Sequence, residues 1–424
     1  MKAIAAFQTL WNFRASRCER STLLILLLVC ATTVFSTAVV QSLVVALTLA
    51  VVVCLFRKRP LTFTRTPLDL PFATFVAARI ISIAFSQDRA VSLPALYIEY
   101  FYYMVFFLVT QTLDGDVASG SCTTVFVLTA SAVVAAAVGI TKVFLSFSPV
   151  ASSTTAGTYT LGAYLCAVLP LLLIARPSHE TARLKNMSLL SAAIICLGIT
   201  LTLDRLHWAG MALTLLVAGL FFQRRVLVLS LGGAAAVVLA FPQVLARFDT
   251  ILHLGHNMAG HDIIWRGALK LIDQHPIIGF GPRTFQQIFP LFREMWVPGV
   301  SSWHNDYLQV YMESGLIGLF PLLWVVGSVY YQAWRSLRSQ TLPPEERYFL
   351  IALVLSMTVV FLIGGMLDTL VGITFRVLLA LFALLVSRSR PALQTLEAGR
   401  ENKAAITTPA FALPEAASRT RHVS

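Results

Sequence analysis

Residues 38–56 read AVVQSLVVALTLAVVVCLF, a run that contains no charged side chain. A helix that crosses a bilayer needs about 20 mostly apolar residues, so this run predicts a transmembrane helix. Similar runs recur along the chain. The twelve candidates lie near 21–36, 38–56, 67–86, 93–112, 123–146, 157–175, 186–203, 208–222, 226–242, 314–334, 348–366 and 372–387. Because backbone polar groups in hydrocarbon must pair within their own segment, we expect all twelve to be helices.

The composition supports this interpretation. The chain has 424 residues, of which 57% are hydrophobic and only 12% are charged, about half the charged fraction of an ordinary soluble domain, about 25%. These values exclude a soluble globular enzyme, a disordered protein and a secreted disulfide scaffold. They predict an all-α, polytopic integral membrane protein with about twelve transmembrane helices. The net charge of +12 indicates no nucleic-acid partner, since many basic residues occupy short linkers between apolar runs.

The distribution of basic residues predicts the orientation. With the N-terminus in the cytoplasm, inner segments hold 22 of the 32 lysines and arginines, so both termini are expected to be cytoplasmic. The other ten lie in outer linkers or within spans. They are Arg79, Arg89, Lys142, Arg205, Arg247, Arg266, Lys270, Arg283, Arg293 and Arg376. Ionisable groups inside a membrane are costly and usually functional, so this set favours an anionic ligand at the outer face.

Four regions follow from the pattern. Residues 1–242 hold the first nine predicted transmembrane helices, and residues 243–313 form one large outer loop. Residues 314–388 hold the last three predicted transmembrane helices, and residues 389–424 form a polar tail that we expect to be disordered in the cytoplasm. Such long loops are usually functional or disordered. This loop is patterned, so we expect it to fold with short helices and to carry the catalytic residues.

The first motif in the loop is HDIIWRGALKLIDQHP at 261–276. Asp262 can cap a helix start and Pro276 can stop it. An apolar stripe at helical spacing indicates a helix on the membrane surface with Trp265 as its anchor. The stripe comprises Ile264, Trp265, Leu269 and Ile272. Two interpretations of Arg266 stay open, a solvated surface charge or a phosphate ligand in a cavity.

The second motif is PIIGFGPRTF at 276–285, whose glycines permit a tight turn. A P-loop is excluded because Gly-Lys-Ser/Thr does not follow. Arg283, beside this turn, is a phosphate ligand or a surface charge.

The third motif is WHNDYLQVYMESGLIGL at 303–319. Asn305 or Asp306 can cap a helix, which would place His304 at the helix start, just above the membrane. A lone histidine is commonly structural. Imidazole, however, has the pKa that a general base needs near neutral pH, and this one borders a cation-rich outer site.

Four further residues are candidates. Arg205 follows Asp204 in the short linker LDRLHW at 203–208, where it either snorkels to water or binds an anion. Asp368, at the outer end of the eleventh predicted span, could orient a catalytic group or counter an arginine. Lys142 and Arg376 could be the buried partners of such carboxylates.

Together these motifs resemble the O-antigen ligase and O-antigen polymerase superfamily. The resemblance rests on WRGAL with HPIIGFG, and on HNDYLQ at 304–309 with ESGLIG at 313–318. It is most specific over about 200–320. It implies a fold similar to the GT-C glycosyltransferases, with a periplasmic active site in the bacterial inner membrane. The implied activity is inverting glycosyl transfer that needs neither a metal nor another cofactor. The implied donor is a glycan on undecaprenyl pyrophosphate, and in the ligase branch the acceptor is a lipid A–core sugar among the membrane lipids.

The resemblance also implies roles for residues. His304 corresponds to the outer-loop histidine of the family, with Asn305 beside it as a supporting residue. Arg205 corresponds to an arginine that follows serine in many members, although Asp204 stands here in place of that serine. Many members carry arginine four residues before the loop tryptophan.

This sequence departs from that pattern with His261, a further supporting residue. The departure favours Arg266 or Arg283 as the second pyrophosphate ligand.

Three other functions remain open at this point. A polymerase would use the same chemistry with a growing glycan as acceptor. An O-linked protein glycosyltransferase would transfer to protein, and such enzymes tend to be longer. A flippase for lipid-linked glycans should show repeats and charged residues at the membrane midplane. The concentration of unusual residues in one outer loop favours an enzyme.

Overall fold

The computed structural model of the chain describes residues 17–57, 64–113, 117–154, 157–175, 182–241, 244, 260–295, 300–338, 342–364 and 373–387. All regular secondary structure in these ranges is helical, which confirms the all-α class. The described helices before the loop are α1 (Arg17–Thr32), α2 (Thr37–Arg57), α3 (Asp69–Ala84), α4 (Arg89–Thr112), α5 (Val117–Phe144), α6 (Gly157–Ile174), α7 (Ala182–Thr200), α8 (Arg205–Phe221) and α9 (Arg224–Ala240). The loop carries α10 (His261–Leu269), α11 (Phe285–Ile288) and a 3-10 turn (Phe292–Glu294). The last described helices are α12 (Asp306–Arg338), α13 (Pro344–Gly364) and α14 (Ile373–Ser387).

Each of the twelve predicted apolar runs coincides with one of these helices. Within the described ranges, five helical segments are long and apolar enough to cross a membrane by length and composition: Thr37–Arg57, Gly120–Phe144, Gly157–Ile174, Asp306–Arg338 and Pro344–Ile363. The chain is therefore a multi-pass membrane protein. The count of twelve spans, the four-region division and the orientation stay predictions.

Burial separates central helices from peripheral ones. Most residues of α6 are buried on all sides, and α6 packs along α13. In contrast, α2 buries one stripe at every third or fourth position and exposes large apolar side chains elsewhere, as a helix that faces lipid does. The buried stripe of α2 is Val40, Val44, Leu47, Val51 and Cys54. Helix α12 packs along α3.

Helices that alternate in direction place the turns after α3, α5 and α7 at the same end of the bundle. The amide of Ala151 donates to the carbonyl of Leu201 at 2.8 Å. The amide of Gln87, after α3, donates to the carbonyl of Phe280 in the loop at 3.0 Å. The described part of the loop therefore covers this end of the bundle.

The long helix α12 is broken near its start. Gly315 has φ 57° and ψ −155°, which interrupts the helical backbone. The loop replaces the hydrogen bonds that the helix loses there. Two loop amides donate to carbonyls of α12, and two loop carbonyls accept amides of α12. The pairs, donor first, are Phe280–Met312 (2.8 Å), Gly281–Glu313 (3.0 Å), Leu316–Pro276 (2.8 Å) and Ile317–Ile277 (3.1 Å). Residues 276–281 are therefore threaded into the break.

Glycine is required where the two backbones approach. A Cβ atom on Gly315 would overlap the backbone of Ile277, and one on Gly279 would overlap the backbone of Glu313. Both glycines have positive φ, and so does Gly281 at φ 104°, which confirms the tight turn predicted for the second motif. The second and third motifs thus pack against each other through their backbones.

Three local expectations differ from the structure. Helix α10 begins after Gly260, with φ 83°, and Asp262 lies in its first turn without capping it. The helix ends at Leu269, which is 67% exposed, while the buried face instead consists of Ile263, Ile264, Gly267 and Ala268. Small residues permit close packing on that face, which the apolar stripe could not indicate. The third difference is the end of α10, which lies before Lys270 rather than at Pro276.

Candidate functional site

Two histidines meet at the starts of two helices. The rings of His261 and His304 lie edge to face, with centroids 5.4 Å apart and planes at 75°. His304 has a left-handed backbone, with φ 49°. The next residue caps α12, because Asn305 Oδ1 accepts the amide of Leu308 at 3.0 Å. This confirms the predicted helix start and fixes where the His304 ring can point.

Arg205 and Asp204 belong to the same cluster. Burial lowers the pKa of His261 below its ordinary value of 6.5, and the nearby His304 and Arg205 lower it further. Asp204 and Asp262 act in the opposite direction. We call His261, His304, Asp204 and Arg205 the histidine cluster. It brings together residues that are far apart in sequence.

The turn before α8 explains how Arg205 is placed. Leu203 has φ 55°, and Asp204 caps the helix by accepting the amides of Leu206 at 2.9 Å and His207 at 3.2 Å. Aspartate is a good capping residue, so it can fill the structural role of a serine at this position. Arg205 is then the first helical residue, where helix geometry favours anions.

A cavity of about 510 Å³ opens beside the start of α12. Its mouth is polar, and Arg283 lies there with an exposed side chain. Ser302 and Asp306, which flank His304 in the sequence, also line it. Its depth is apolar and lies among the helices. The apolar lining includes Phe72, Phe75, Tyr103, Leu322, Val325 and Phe375.

Two buried arginines, Arg79 and Arg376, line the same cavity. The sequence placed both among the basic residues that favour an anionic ligand, and it suggested Arg376 as a buried partner of a carboxylate. Arg79 Nη2 lies 2.7 Å from Glu313 Oε2, and Arg79 Nη1 donates to Ser314 Oγ at 2.9 Å. The Arg376 guanidinium lies 4.5 Å from the centroid of the Tyr103 ring. The glutamate of the ESGLIG motif stands out in the sequence, but nothing there identifies Arg79 as its partner.

A second, open groove of about 590 Å³ lies on the other face of the first turns of α12. It is lined by apolar and aromatic side chains next to Asn305. The lining is Trp265, Ile272, Asn305, Tyr307, Leu308, Tyr311 and Leu319. Tryptophan and tyrosine are typical of a membrane interface. The segment that carries His304 thus lies between this cavity and an aromatic groove.

The remaining candidates lie elsewhere. The Arg266 side chain is 58% exposed, and its Nη2 atom lies 3.3 Å from Glu294 and 3.8 Å from Asp262, an arrangement typical of a surface ion pair. Lys142 Nζ donates to the carbonyl of Ser153 at 2.5 Å and so ties down the turn after α5. Asp368 lies outside the described residues.

Imidazole and guanidinium groups at one end of a helical membrane protein are chemically suited to bind an anionic group. Comparison with known proteins indicates which kind of membrane protein this is. Residues 189–323 match the family model described as O-antigen ligase. The matched segment runs from α7 into α12 and contains the histidine cluster and Arg283, which confirms the resemblance to the O-antigen ligase and polymerase superfamily.

A curated relative points to the same superfamily. The chain is 23% identical over 175 residues to the exopolysaccharide production protein ExoQ of Rhizobium meliloti (strain 1021). The aligned stretch covers 39% of this chain and 38% of that relative.

The lowered pKa of His261 has a measurable consequence for stability. Below its ordinary pKa of 6.5, the unfolded chain binds more protons at this position than the folded protein does. Lowering the pH from about 7.5 to about 5.5 should therefore reduce the stability of the wild type relative to His261→Gln. Thermal unfolding of both proteins in detergent at several pH values measures this difference. A difference that stays constant or moves the other way would contradict the assigned shift.

Proposed function

We propose that this protein is an inverting, metal-independent glycosyltransferase, specifically an O-antigen ligase. In this proposal it moves a glycan from undecaprenyl pyrophosphate to a lipid A–core sugar at the periplasmic face of the inner membrane. The observation that supports it best is the contact between His304 and His261 beside Arg205, within the segment that matches the O-antigen ligase family.

The mechanism assigns one task to each group. The donor carries an anomeric carbon bonded to pyrophosphate. His304 accepts the proton of the acceptor hydroxyl while the hydroxyl oxygen forms a bond to that carbon from the face opposite the pyrophosphate. The bond between carbon and the pyrophosphate oxygen breaks, and its electrons leave with the pyrophosphate. Positioned base catalysis contributes about 10²–10⁴-fold.

Arginines stabilise the leaving group. Arg205 and Arg283 can neutralise the departing pyrophosphate with forked hydrogen bonds, and such electrostatic stabilisation is usually the larger contribution. Arg266 is the weaker second ligand because its guanidinium already pairs with Glu294 and because, unlike Arg283, it is not among the residues that line the cavity. The supporting residues are His261 and Asn305, which set the surroundings and position of His304. Lys142 and Asp368 have no step in this mechanism.

The cavity and the aromatic groove suit an inverting reaction, in which the acceptor approaches the anomeric carbon from the face opposite the leaving group. Along α12 the cavity lining runs from Asp306, past the break at Gly315, to Val325. Its apolar part offers the surroundings that a polyprenyl chain requires. We therefore assign the polyprenyl chain to the cavity, with its pyrophosphate at the polar mouth, and the acceptor to the aromatic groove.

Arg205→Lys tests the role of the forked guanidinium. Lysine keeps the charge but presents a single ammonium group, so we expect kcat to fall at least about 10-fold. The measurement is transfer from a defined lipid-linked glycan to purified core lipid. Arg224→Lys, at the first position of α9 near the opposite end of the bundle, is the matched control and should transfer normally. Normal transfer by Arg205→Lys would show that charge alone is sufficient.

A polymerase is the second candidate, and the similarity to an exopolysaccharide production protein favours it. Deletion of the gene followed by electrophoresis of lipopolysaccharide distinguishes the two functions. Core without any O-chain, together with accumulated lipid-linked glycan, is the result expected for a ligase. Core that carries a single repeat would identify a polymerase, and an unchanged ladder would contradict both.

A further inference from the structure

We propose that Glu313 and Gln309 are positioning residues that hold the backbone on both sides of the reaction centre. This inference rests on the proposed function, because it assumes that His304 and Arg283 act on the substrate. It adds two residues to which neither the sequence motifs nor the comparisons give a role.

The first observation is the set of donors around the Glu313 carboxylate, which is buried. Its Oε2 atom pairs with Arg79 Nη2 at 2.7 Å. Its Oε1 atom accepts the backbone amide of Arg283 at 2.9 Å and the side-chain amide of Gln309. Both oxygens are therefore held by donors on α3, in the loop and on α12. A carboxylate held in this way can act as a fixed reference point.

The second observation is a relay from Glu313 to the residue before His304. While Gln309 Nε2 donates to Glu313, Gln309 Oε1 accepts the backbone amide of Trp303 at 2.9 Å. The Trp303 side chain is fully buried. It packs edge to face on Phe285 and Phe289, with ring centroids 4.9 and 6.0 Å away. Backbone and side chain of Trp303 are thus both fixed directly before His304.

The third observation is backbone strain at the two residues that this network serves. Arg283 has φ 64° and His304 has φ 49°, values that non-glycine residues seldom adopt and that persist only where the surroundings enforce them. Glu313 bonds directly to the amide of Arg283, and through Gln309 it holds the backbone amide of Trp303, the residue before His304. One carboxylate therefore sets the positions of the proposed pyrophosphate ligand and the proposed base relative to each other.

Gln309→Met tests the relay. Methionine is similar in size and keeps the packing, but it removes the hydrogen bonds to Trp303 and Glu313. We expect kcat to fall about 10- to 100-fold, since small misplacement of a catalytic group has effects of this order. The KM for the lipid-linked donor should change much less than kcat, because the main effect of the relay is on the placement of His304, although Gln309 also lines the donor cavity. Gln332→Met, near the other end of α12, is the matched control and should transfer normally.

A cycle with His304→Asn separates this inference from the proposed function. If His304→Asn transfers normally, the base assignment fails. If His304→Asn loses transfer while Gln309→Met keeps normal kcat, the positioning inference fails and the base assignment stands. If Gln309 acts through His304, adding Gln309→Met to His304→Asn should leave the residual rate unchanged within about twofold. A further loss equal to that of the single variant would overturn the inference.

Gln309→Glu provides a second measurement that does not depend on the methionine variant. An ionised glutamate at position 309 repels Glu313, whereas a protonated one can donate to Glu313 and accept the Trp303 amide. We therefore expect the rate of Gln309→Glu, divided by the wild-type rate at the same pH, to rise as the pH is lowered from about 8 to about 6. A ratio that stays constant or falls would overturn the inference.

Discussion

Replacing His304 with asparagine should lower the rate of glycan transfer by about 10²–10⁴-fold, the contribution of positioned base catalysis. Asparagine is polar and tolerates a left-handed backbone better than most residues, which matters because His304 has φ 49°. It cannot accept the proton of the acceptor hydroxyl at neutral pH. The measurement is single-turnover transfer by purified protein, with thermal unfolding to show that the fold is retained.

His275→Asn is the matched control for this variant. His275 is another loop histidine; its side chain is exposed, and its ring Nε2 atom lies 2.6 Å from Gln87 Nε2. Loss of one exposed hydrogen bond should alter transfer by no more than a few-fold. Near-normal transfer by a well-folded His304→Asn protein would remove His304 from the mechanism and, with it, the main argument for the proposed chemistry.

The second large effect concerns stability. Gly315→Ala should destabilise the protein by about 2–4 kcal/mol, because alanine is strained at this backbone conformation and its Cβ would displace the loop. The relevant observations are φ 57° with ψ −155° and the overlap with the backbone of Ile277. Thermal or denaturant unfolding in detergent measures the loss. We also expect reduced transfer at permissive temperature, since residues 276–281 lead to Arg283.

Gly327→Ala provides the comparison within the same helix. A Cβ on Gly327 would meet open space, and alanine is favoured over glycine in a helix interior. That variant should keep its stability or gain up to about 1 kcal/mol. Equal effects of the two substitutions would show that the break at Gly315 does not constrain the fold.

The helices were predictable because a bilayer imposes a simple rule on composition. Apolar runs must be helical in hydrocarbon, so their positions follow from the sequence, and the cap at Asn305 follows from local chemistry. The tenth apolar run begins at 314, but α12 begins at Asp306, as the capping residues of the third motif predict. The outer turns of α12 are polar because they face the loop and the cavity rather than lipid, and hydropathy therefore assigned them to the loop.

The site was predictable only where its chemistry is local. His304 and Arg205 stand out by residue type and by place at the ends of apolar runs. The pairing of Arg79 with Glu313 joins residues 234 positions apart, which no periodicity indicates. The direction of Arg266 was equally hidden, since the face that α10 buries is set by Gly267 and Ala268 packing close to the rest of the loop, including Phe289.

The break at Gly315 makes the insertion of α12 depend on the folding of the loop that precedes it. Until residues 276–281 return, α12 presents four unmatched peptide groups, a configuration that lipid tolerates poorly. Residues 276–281 precede α12 in the chain, so they are already synthesised when α12 leaves the ribosome. A chimera that exchanges the outer loop between relatives must therefore carry its own cognate stretch up to residue 317, or it will assemble with an incomplete span.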